Sequence, residues 1–470
     1  MDEVVMGGHP VDEMPGYLGA WMTGQRWYAG KSRTPRFESL GAFLLAETPD
    51  GVLVRLQLVL DGAEHPQLYQ VPLTERTAPL EGAESSLVAV IGDGDRRRWV
   101  YDGPHDPAYA RTLLELILEE GEVRAGGDRI VARGHRDRPR EGVRMVSSHV
   151  LGGEQSNTSI VYTMADAGGG QAFPVICKVF RALHDGENPD VVITAALGAA
   201  GSTVAPRSVG HVTGQWRDTG KLHGLATGHL AFAEEFLPGV EDAWRVALHA
   251  VETGEDFGER ARSLGETTAA MHATLARVLP SRATTPADIA TVIATMRQRF
   301  ELAAAEVPSL LRHREALQDV YLRAQTSPWP ALQRIHGDFH LGQVLAVPDR
   351  GWVVLDFEGE PLRPMRERSA LDIPLRDVAG MLRSFDYAAR SSTSGGPGAA
   401  TEWASVCRQA FLDGYAAGSG RDPRSHDALL DAFEIDKALY EAVYEVRNRP
   451  DWLSIPVDAI ARLIERTPGD

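Results

Sequence analysis

The sequence predicts an α+β fold, with strands concentrated in the first half of the chain and helices in the second. Three observations predict it. Apolar runs of strand length, set apart by Gly, Pro and Asp turn signals, recur up to residue 238. From Ala243 onward the apolar spacing is mainly helical, interrupted by one loop-strand-loop region around "RIHGDFHLGQVL" and "WVVLDFEGEP". The length, 470 residues, exceeds what one ordinary core fills, so two or three domains or subdomains are expected.

Composition narrows the function classes. Hydrophobic residues make up 43% and charged residues 24%, as in soluble globular chains. No stretch approaches the roughly 20 apolar residues that cross a bilayer, so no membrane partner is expected. The opening "MDEVVMGGHPVDEMPG" has neither a basic n-region nor an apolar h-region, which points to a cytoplasmic setting. Cys177 and Cys407 are the only cysteines, too few for a disulfide framework or a cysteine-rich zinc site. A formal charge of -17 disfavours nucleic acid, whose phosphates are bound by basic stripes. A nucleotide stays open, because one or two local cations and a metal suffice for it.

In chain order, a short helix around Pro15 to Met22 precedes strands at "LGAFLLAE", "VLVRLQLVL" and "QLYQVPL", with turns at Pro49-Asp50-Gly51 and Asp61-Gly62. A hairpin follows in "SLVAVIGDGDRRRWVY", where Gly92-Asp93-Gly94 supplies the turn rather than a phosphate loop. "AYARTLLELILEE" has the spacing of an amphipathic helix. The next segment reads as strand, loop, strand, Gly-rich turn and strand, ending in "PVICKVF". There Val175, Cys177 and Val179 share one face and Ile176, Lys178 and Phe180 the other, so Lys178 stands mid-strand on a mostly apolar face. Such a lysine either snorkels to water or serves an anion. "RSSTSGGPGAATEW" reads as a surface loop without chemistry.

The order of polar anchors asks for a specific chemistry. A turn between strands comes first, then Lys178, then His336-Gly337-Asp338, then Gln343 five residues after Asp338, then Asp356-Phe357. Phosphoryl transfer from ATP needs these parts: a backbone-lined turn over the phosphates, a lysine to grip them, a carboxylate to orient the acceptor hydroxyl, and oxygen ligands for magnesium. The interval and order match the kinase signature.

The chain resembles the aminoglycoside-phosphotransferase-like branch of the kinase fold, whose catalytic loop carries His-Gly-Asp, and within it the actinobacterial maltokinases. The matching stretches are "QRWYAGKSR", "EQSNTS", "RIHGDFHLGQVL", "VVLDFEGEP", "PLRDVAGMLRSFDYAAR" and "DKALYEAVYEVRNRPDW", from Gln25 to Trp452. The resemblance implies a bilobal fold: an N-terminal α/β cap over 1–103, strands and hinge completing the N-terminal lobe over 104–238, and a helical C-terminal lobe over 239–470. It makes Asp338 the catalytic aspartate, with His336 orienting the loop, and Gln343 and Asp356 the Mg2+ ligands. Lys178 would grip the ATP phosphates, Ser156, Asn157 and Thr158 would form the turn over them, and backbone groups around Glu234, Glu235 and Phe236 would meet adenine. Gly337, standing where protein kinases have arginine, leaves no receiver for an activation-loop phosphate. At the lysine's acidic partner this sequence departs from the family pattern, with Asp190 or Glu187 as substitutes. The implied reaction is transfer from ATP to O1 of maltose, linked to α-glucan and glycogen synthesis and to association with trehalose synthase.

For the acceptor, Lys437, Tyr440, Glu441 and Tyr444 fall on one face of a helix, where tyrosine rings and charged tips suit a neutral sugar. Arg447, Glu358 and His340 join this set through the resemblance. The plain alternative is an ordinary helix with a Lys437–Glu441 ion pair. Three rivals are weaker. A metallohydrolase built on His336, Asp338 and His340 leaves Lys178, Gln343 and Asp356 unexplained. A binding module without turnover would not need all four kinase residues. A kinase of glucosamine or an aminoglycoside calls for a carboxylate-rich acceptor pocket.

Overall fold

The computed structural model describes residues 16–465 apart from 32–33, 63–65, 140–141, 153–155, 218–223, 361–362 and 392–395. They form two compact units, one made of the chain up to Val191 with Arg207–Leu237, the other of Val192–Pro206 and the chain from Pro238 onward.

The first unit opens with α1 (Gly16–Thr23) and the strands β1 (Phe37–Glu47), β2 (Leu53–Asp61), β3 (Gln67–Arg76), β4 (Leu87–Ile91) and β5 (Arg98–Asp102). These pair antiparallel in the order β1-β2-β3-β5-β4. The near-continuous apolar runs of β2 and β3 arise because both faces of the sheet are covered. Val59, Tyr69, Val71 and Leu73 pack with Leu18 and Met22 of α1. Val54, Leu56, Leu58 and Leu68 point the other way, onto α2 (Pro107–Leu118). That helix starts where Asp106 accepts the Ala108 amide at 2.9 Å ahead of Pro107 at the first helical position.

The apolar stripe of α2 also covers a second, seven-stranded sheet. Its strands are β6 (Glu122–Ala125), β7 (Asp128–Gly134), β8 (Arg144–Val150), β9 (Asn157–Ala165), β10 (Val175–Phe180), β12 (Ser208–Arg217) and β13 (Leu225–Glu235), in the order β6-β7-β12-β13-β10-β9-β8. The short β11 (Ala182–Leu183) pairs with β3 of the first sheet, and α3 (Pro189–Ala199) follows it. The alternation expected in β10 holds: Val175, Cys177 and Val179 are fully buried with α2 residues in one core. The β6–β7 hairpin was not foreseen, since "EVRAGGDRIVARG" is too short and too charged to signal a strand pair.

The second unit holds a small sheet of β14 (Glu241–Asp242), β15 (Val344–Val347) and β16 (Gly351–Val354). Around it lie α4 (Ala243–Thr253), α5 (Gly258–Val278), α6 (Pro286–Glu306), α7 (Arg314–Thr326), α8 (Met365–Arg368), α9 (Leu375–Ser391), α10 (Gly396–Ser419), α11 (Asp427–Asn448) and α12 (Ser454–Glu465). The expected loop "RSSTSGGPGAATEW" is corrected here: Arg390 and Ser391 close α9, and α10 has begun by Gly396. Local Gly and Ser content argued for a loop, but Ala404, Cys407, Phe411, Leu412 and Tyr415 bury a helical stripe in this unit's core, and packing overrides propensity. No described helix is long and apolar enough to cross a membrane.

Helices α5 and α10 approach closely at Gly414, where an added methyl would run into the Arg262 carbonyl oxygen. Gly414→Ala is expected to destabilise the protein by about 1–3 kcal/mol through forced separation of the pair. A denaturant melt checks this, and a variant at least as stable as the parent would show that the crossing can relax.

Candidate active site

In the first unit, Lys178 projects from the face of β10 opposite the core and its ammonium donates to Asp190 Oδ2 at 2.7 Å. Asp190, one of the two candidates for the lysine's partner, is buried in the first turn of α3 and takes this bond. Asn188 sets that turn: its Oδ1 accepts the Asp190 amide at 2.8 Å, while its own amide donates to His229 Nδ1 at 3.0 Å. The expected phosphate-covering turn is placed differently. Asn157 and Thr158 are already strand residues, paired with Phe180 and Val179, and the Thr158 hydroxyl accepts from buried Arg181 at 2.9 Å. Only Ser156 precedes the strand; Glu154 and Gln155 lie outside the described residues. At the end of β13 the Glu235 amide donates to Arg207 and the Phe236 amide to Pro174, both at 2.9 Å, so these two donors are engaged within the unit. Glu234 is buried beside them.

In the second unit, the loop after α7 gathers the remaining residues. His336 is buried, donates from Nε2 to the Leu355 carbonyl at 2.8 Å and accepts the Asp338 amide at Nδ1 at 3.3 Å. Its ring thereby ties the Asp338 segment to the strand end that carries Asp356. Gly337 has φ +85°, so the backbone itself excludes the arginine of protein kinases at this position. His340 caps a short turn, its Nδ1 accepting the Gly342 amide at 3.1 Å, and burial pushes its imidazole down to about 4, so it is neutral at physiological pH. Gln343 Nε2 donates to Asp356 Oδ2 at 3.1 Å. Asp356 holds φ +60°, a left-handed conformation uncommon outside glycine and concentrated at functional positions. Carboxylate oxygens of Asp356 and Glu358 come within 4.8 Å of one another. Carboxylate oxygens are the kind of donor that suits Mg2+, and Gln343, whose Nε2 faces Asp356 in this structure, also carries an amide oxygen that could serve.

Helix α11 joins this loop through Lys437, whose ammonium donates to Asp338 Oδ1 at 2.8 Å and to Glu360 Oε1 at 3.3 Å and sits 4.9 Å from the Tyr440 ring. Burial works against ionised Asp338, but the Lys437 ammonium outweighs it and holds the carboxyl below its usual range. The same two carboxylates keep the buried Lys437 firmly protonated. The alternative Lys437–Glu441 pair does not form: Glu441 accepts from the fully buried Arg383 at 2.7 Å. The expected stripe therefore splits. Lys437 and Tyr440 stand at Asp338, Glu441 turns into a buried ion network, Tyr444 is exposed beside Arg449, and Arg447 pairs with Glu306 at 2.8 Å on the surface.

Two residues were missed. Glu360 follows the "VVLDFEG" run and is almost wholly buried among Lys437, Arg363 and Arg299, a constellation that no sequence interval signals. Asp377 lies within the quoted "PLRDVAG". Its carboxylate accepts the His336 and Gly337 amides at 2.8 and 2.9 Å and the His272 ring at 2.9 Å. A lone acidic residue in an apolar helix stripe was the available clue. Burial opposes ionised Asp377, but the bond from His272 and the neighbouring His336 and Gly337 outweigh it and hold the carboxyl below its ordinary range. A carboxyl depressed on folding adds stability above its unfolded value of about 4 and loses that contribution as pH falls further. Asp377→Asn is expected to cost about 1–3 kcal/mol at neutral pH, with the deficit narrowing below about pH 4. Urea melts at the two pH values check this; an equal deficit at both would remove charge from the explanation.

With this geometry in view, comparisons with known proteins become informative. Residues 21–106 match the maltokinase N-terminal cap domain, and residues 194–429 match the phosphotransferase enzyme family. A glucosamine kinase of Streptacidiphilus jiangxiensis is 32% identical over 284 residues, spanning 56% of this chain and 62% of that protein. A glucosamine kinase of Mycolicibacterium smegmatis is 27% identical over 335 residues, 66% of this chain and 78% of that protein. Among solved structures, a glucosamine kinase aligns with TM-score 0.68 at 22% identity, covering 94% of this chain and 97% of its own. A second, in complex with glucosamine, ADP and inorganic phosphate, aligns with TM-score 0.67 at 21% identity over 96% of this chain and 99% of its own. These two likenesses establish the fold as the kinase-like one expected from the sequence, with an N-terminal cap. The chain belongs to the phosphotransferase enzyme family and carries a maltokinase-type N-terminal cap.

Proposed function

We propose that the chain transfers the γ-phosphoryl group of ATP to the anomeric O1 of maltose, yielding maltose 1-phosphate for α-glucan synthesis. In this reading Lys178, steadied by Asp190, grips the phosphates, and Gln343 and Asp356 hold Mg2+, which neutralises charge on the transferring group. Asp338 orients the acceptor hydroxyl and takes its proton as the new P–O bond forms and the bond to ADP breaks. The cap match supports a maltokinase, and trehalose synthase is the partner this reading would suggest.

The observation that carries a neutral acceptor is the Lys437 ammonium 2.8 Å from Asp338. Each carboxylate around it already has a cation: Glu360 has Lys437 and Arg363, Glu441 has Arg383, and Asp436 has Arg299 and Arg376. An acceptor bearing its own ammonium would meet a like charge there. The second reading, glucosamine as acceptor, is favoured by the names of the relatives above.

An ATP-consumption assay over maltose, glucose, glucosamine and kanamycin, with phosphorus NMR of the product, separates the two. The expected result is an anomeric phosphate from maltose, and a higher kcat/KM for glucosamine than for maltose would replace the first reading by the second. Lys437→Met should raise the KM for maltose and narrow its advantage over glucosamine; an unchanged ratio would take Lys437 out of acceptor selection. Asp338→Asn should lower kcat by about 10²–10⁴-fold with nucleotide affinity nearly constant. A variant retaining most of its turnover would mean another group handles the proton.

A further inference from the structure

Strands β7, β12 and β13 of the seven-stranded sheet carry a face that the phosphotransfer reading does not use. Arg129, Val131 and Arg133 alternate along β7 and line a pocket of about 120 Å³ with Thr213 and Gln215 of β12 and Thr227 of β13. Its polar side chains are two cations and neutral hydroxyl and amide groups, and the carboxylate of Asp185, which does not line it, accepts the Thr227 backbone amide at 3.1 Å. Among the described residues no carboxylate pairs with either arginine: Arg129 Nε donates to Gln215 Oε1 at 2.9 Å and Arg133 to the neighbouring Ala132 carbonyl at 3.2 Å. Glu122, on the adjoining edge strand, is paired with Arg124 at 2.5 Å. In a chain with a formal charge of -17, two guanidiniums left without carboxylates beside hydroxyl and amide groups are a local reversal of sign.

The same face continues into three histidines. His135 Nε2 and His211 Nδ1 lie 2.7 Å apart, His135 Nδ1 meets Ser208 Oγ at 2.5 Å, and the His211 and His229 rings are 5.1 Å apart. Burial pushes His211 down to about 3 and His229 to about 4, so at neutral pH both are uncharged. His229 then accepts the Asn188 amide, and Asn188 holds the turn that presents Asp190 to Lys178. Inside one compact unit, hydrogen bonds join His135 to His211, a ring contact joins His211 to His229, and hydrogen bonds then run from His229 through Asn188 and Asp190 to the lysine.

We propose that this face binds a phosphomonoester, its phosphate between Arg129 and Arg133, and that the occupant is felt through His229 and Asn188 at Lys178. Paired guanidiniums suit a dianionic phosphate, which each can meet with two N–H donors. Thr213, Gln215 and Thr227 supply hydroxyl and amide partners for the organic part, and Val131 an apolar floor. A dianion here would also favour protonation of the adjacent imidazoles, which moves the bond His229 makes to Asn188. The second half rests on Lys178 serving a nucleotide; the first half does not.

The test is equilibrium dialysis of inorganic phosphate and of glycerol 3-phosphate against the protein saturated with ADP and Mg2+, which keeps the probes out of the nucleotide's own place. Glycerol 3-phosphate is expected to bind one-to-one at millimolar concentration or below. Arg129→Gln/Arg133→Gln should weaken it by about tenfold or more, with melting temperature and ADP affinity unchanged. Absence of binding to the parent protein, or binding that survives in the double variant, overturns the site. For the second half, ADP affinity is measured with and without glycerol 3-phosphate: a shift of about twofold or more supports the route, as reciprocal linkage requires, and identical affinities with the probe bound overturn it while leaving the site.

Discussion

A carboxylate withdrawn from water must be given donors in return, and the rest of the second unit's reactive loop depends on how Asp377 obtains them. It takes two consecutive backbone amides, from His336 and Gly337, and a ring N–H from His272. Backbone amides cannot turn aside as side chains can, so three bonds to one buried anion define the path of the chain at the start of the loop. His336 extends that order by bonding both the Leu355 carbonyl and the Asp338 amide. Asp338 and Asp356 are therefore positioned by a buried network rather than by their own contacts with solvent.

Charge around Lys437 obeys the same logic. Lys437, Glu360, Arg299, Arg363, Arg376 and Asp436 are linked through shared partners, each anion meeting at least one cation. Behind α11, Arg383 joins Glu441 to Asp386, and Arg408 joins Asp386 to Glu434. Buried networks of this kind add little net stability over apolar packing, but removing one partner strands a charge, so they define positions sharply. The consequence for chemistry is that Asp338 is ionised and already compensated before any substrate arrives.

The first unit handles the opposite problem, a cation among apolar neighbours. Lys178 meets the well-buried carboxylate of Asp190, which is presented by a helix turn whose first amide Asn188 caps. Strand alternation aims the lysine and the helix start supplies its partner, so a local substitution at either end changes both.

Much was legible in sequence because it is local. The period-2 alternation of "PVICKVF", the turn signals between the early strands and the His-x-Asp interval are each determined within a few residues, where backbone geometry leaves few options. The family was legible too, since its stretches run the length of the chain. What only tertiary structure decided were pairings between distant segments. Lys437 meets Asp338 across 99 positions, and Asp377 reaches the loop across 41. Glu441 pairs with Arg383 rather than Lys437 because that arginine is fully buried and needs an anion, while Lys437 already has Asp338 and Glu360. Likewise α10 forms from a Gly- and Ser-rich start because the energy lies in the stripe it buries against α5, which its own composition does not encode. Intervals along a chain reveal which side chains share a face; burial, which decides what each charge must pair with, exists only once the faces have met.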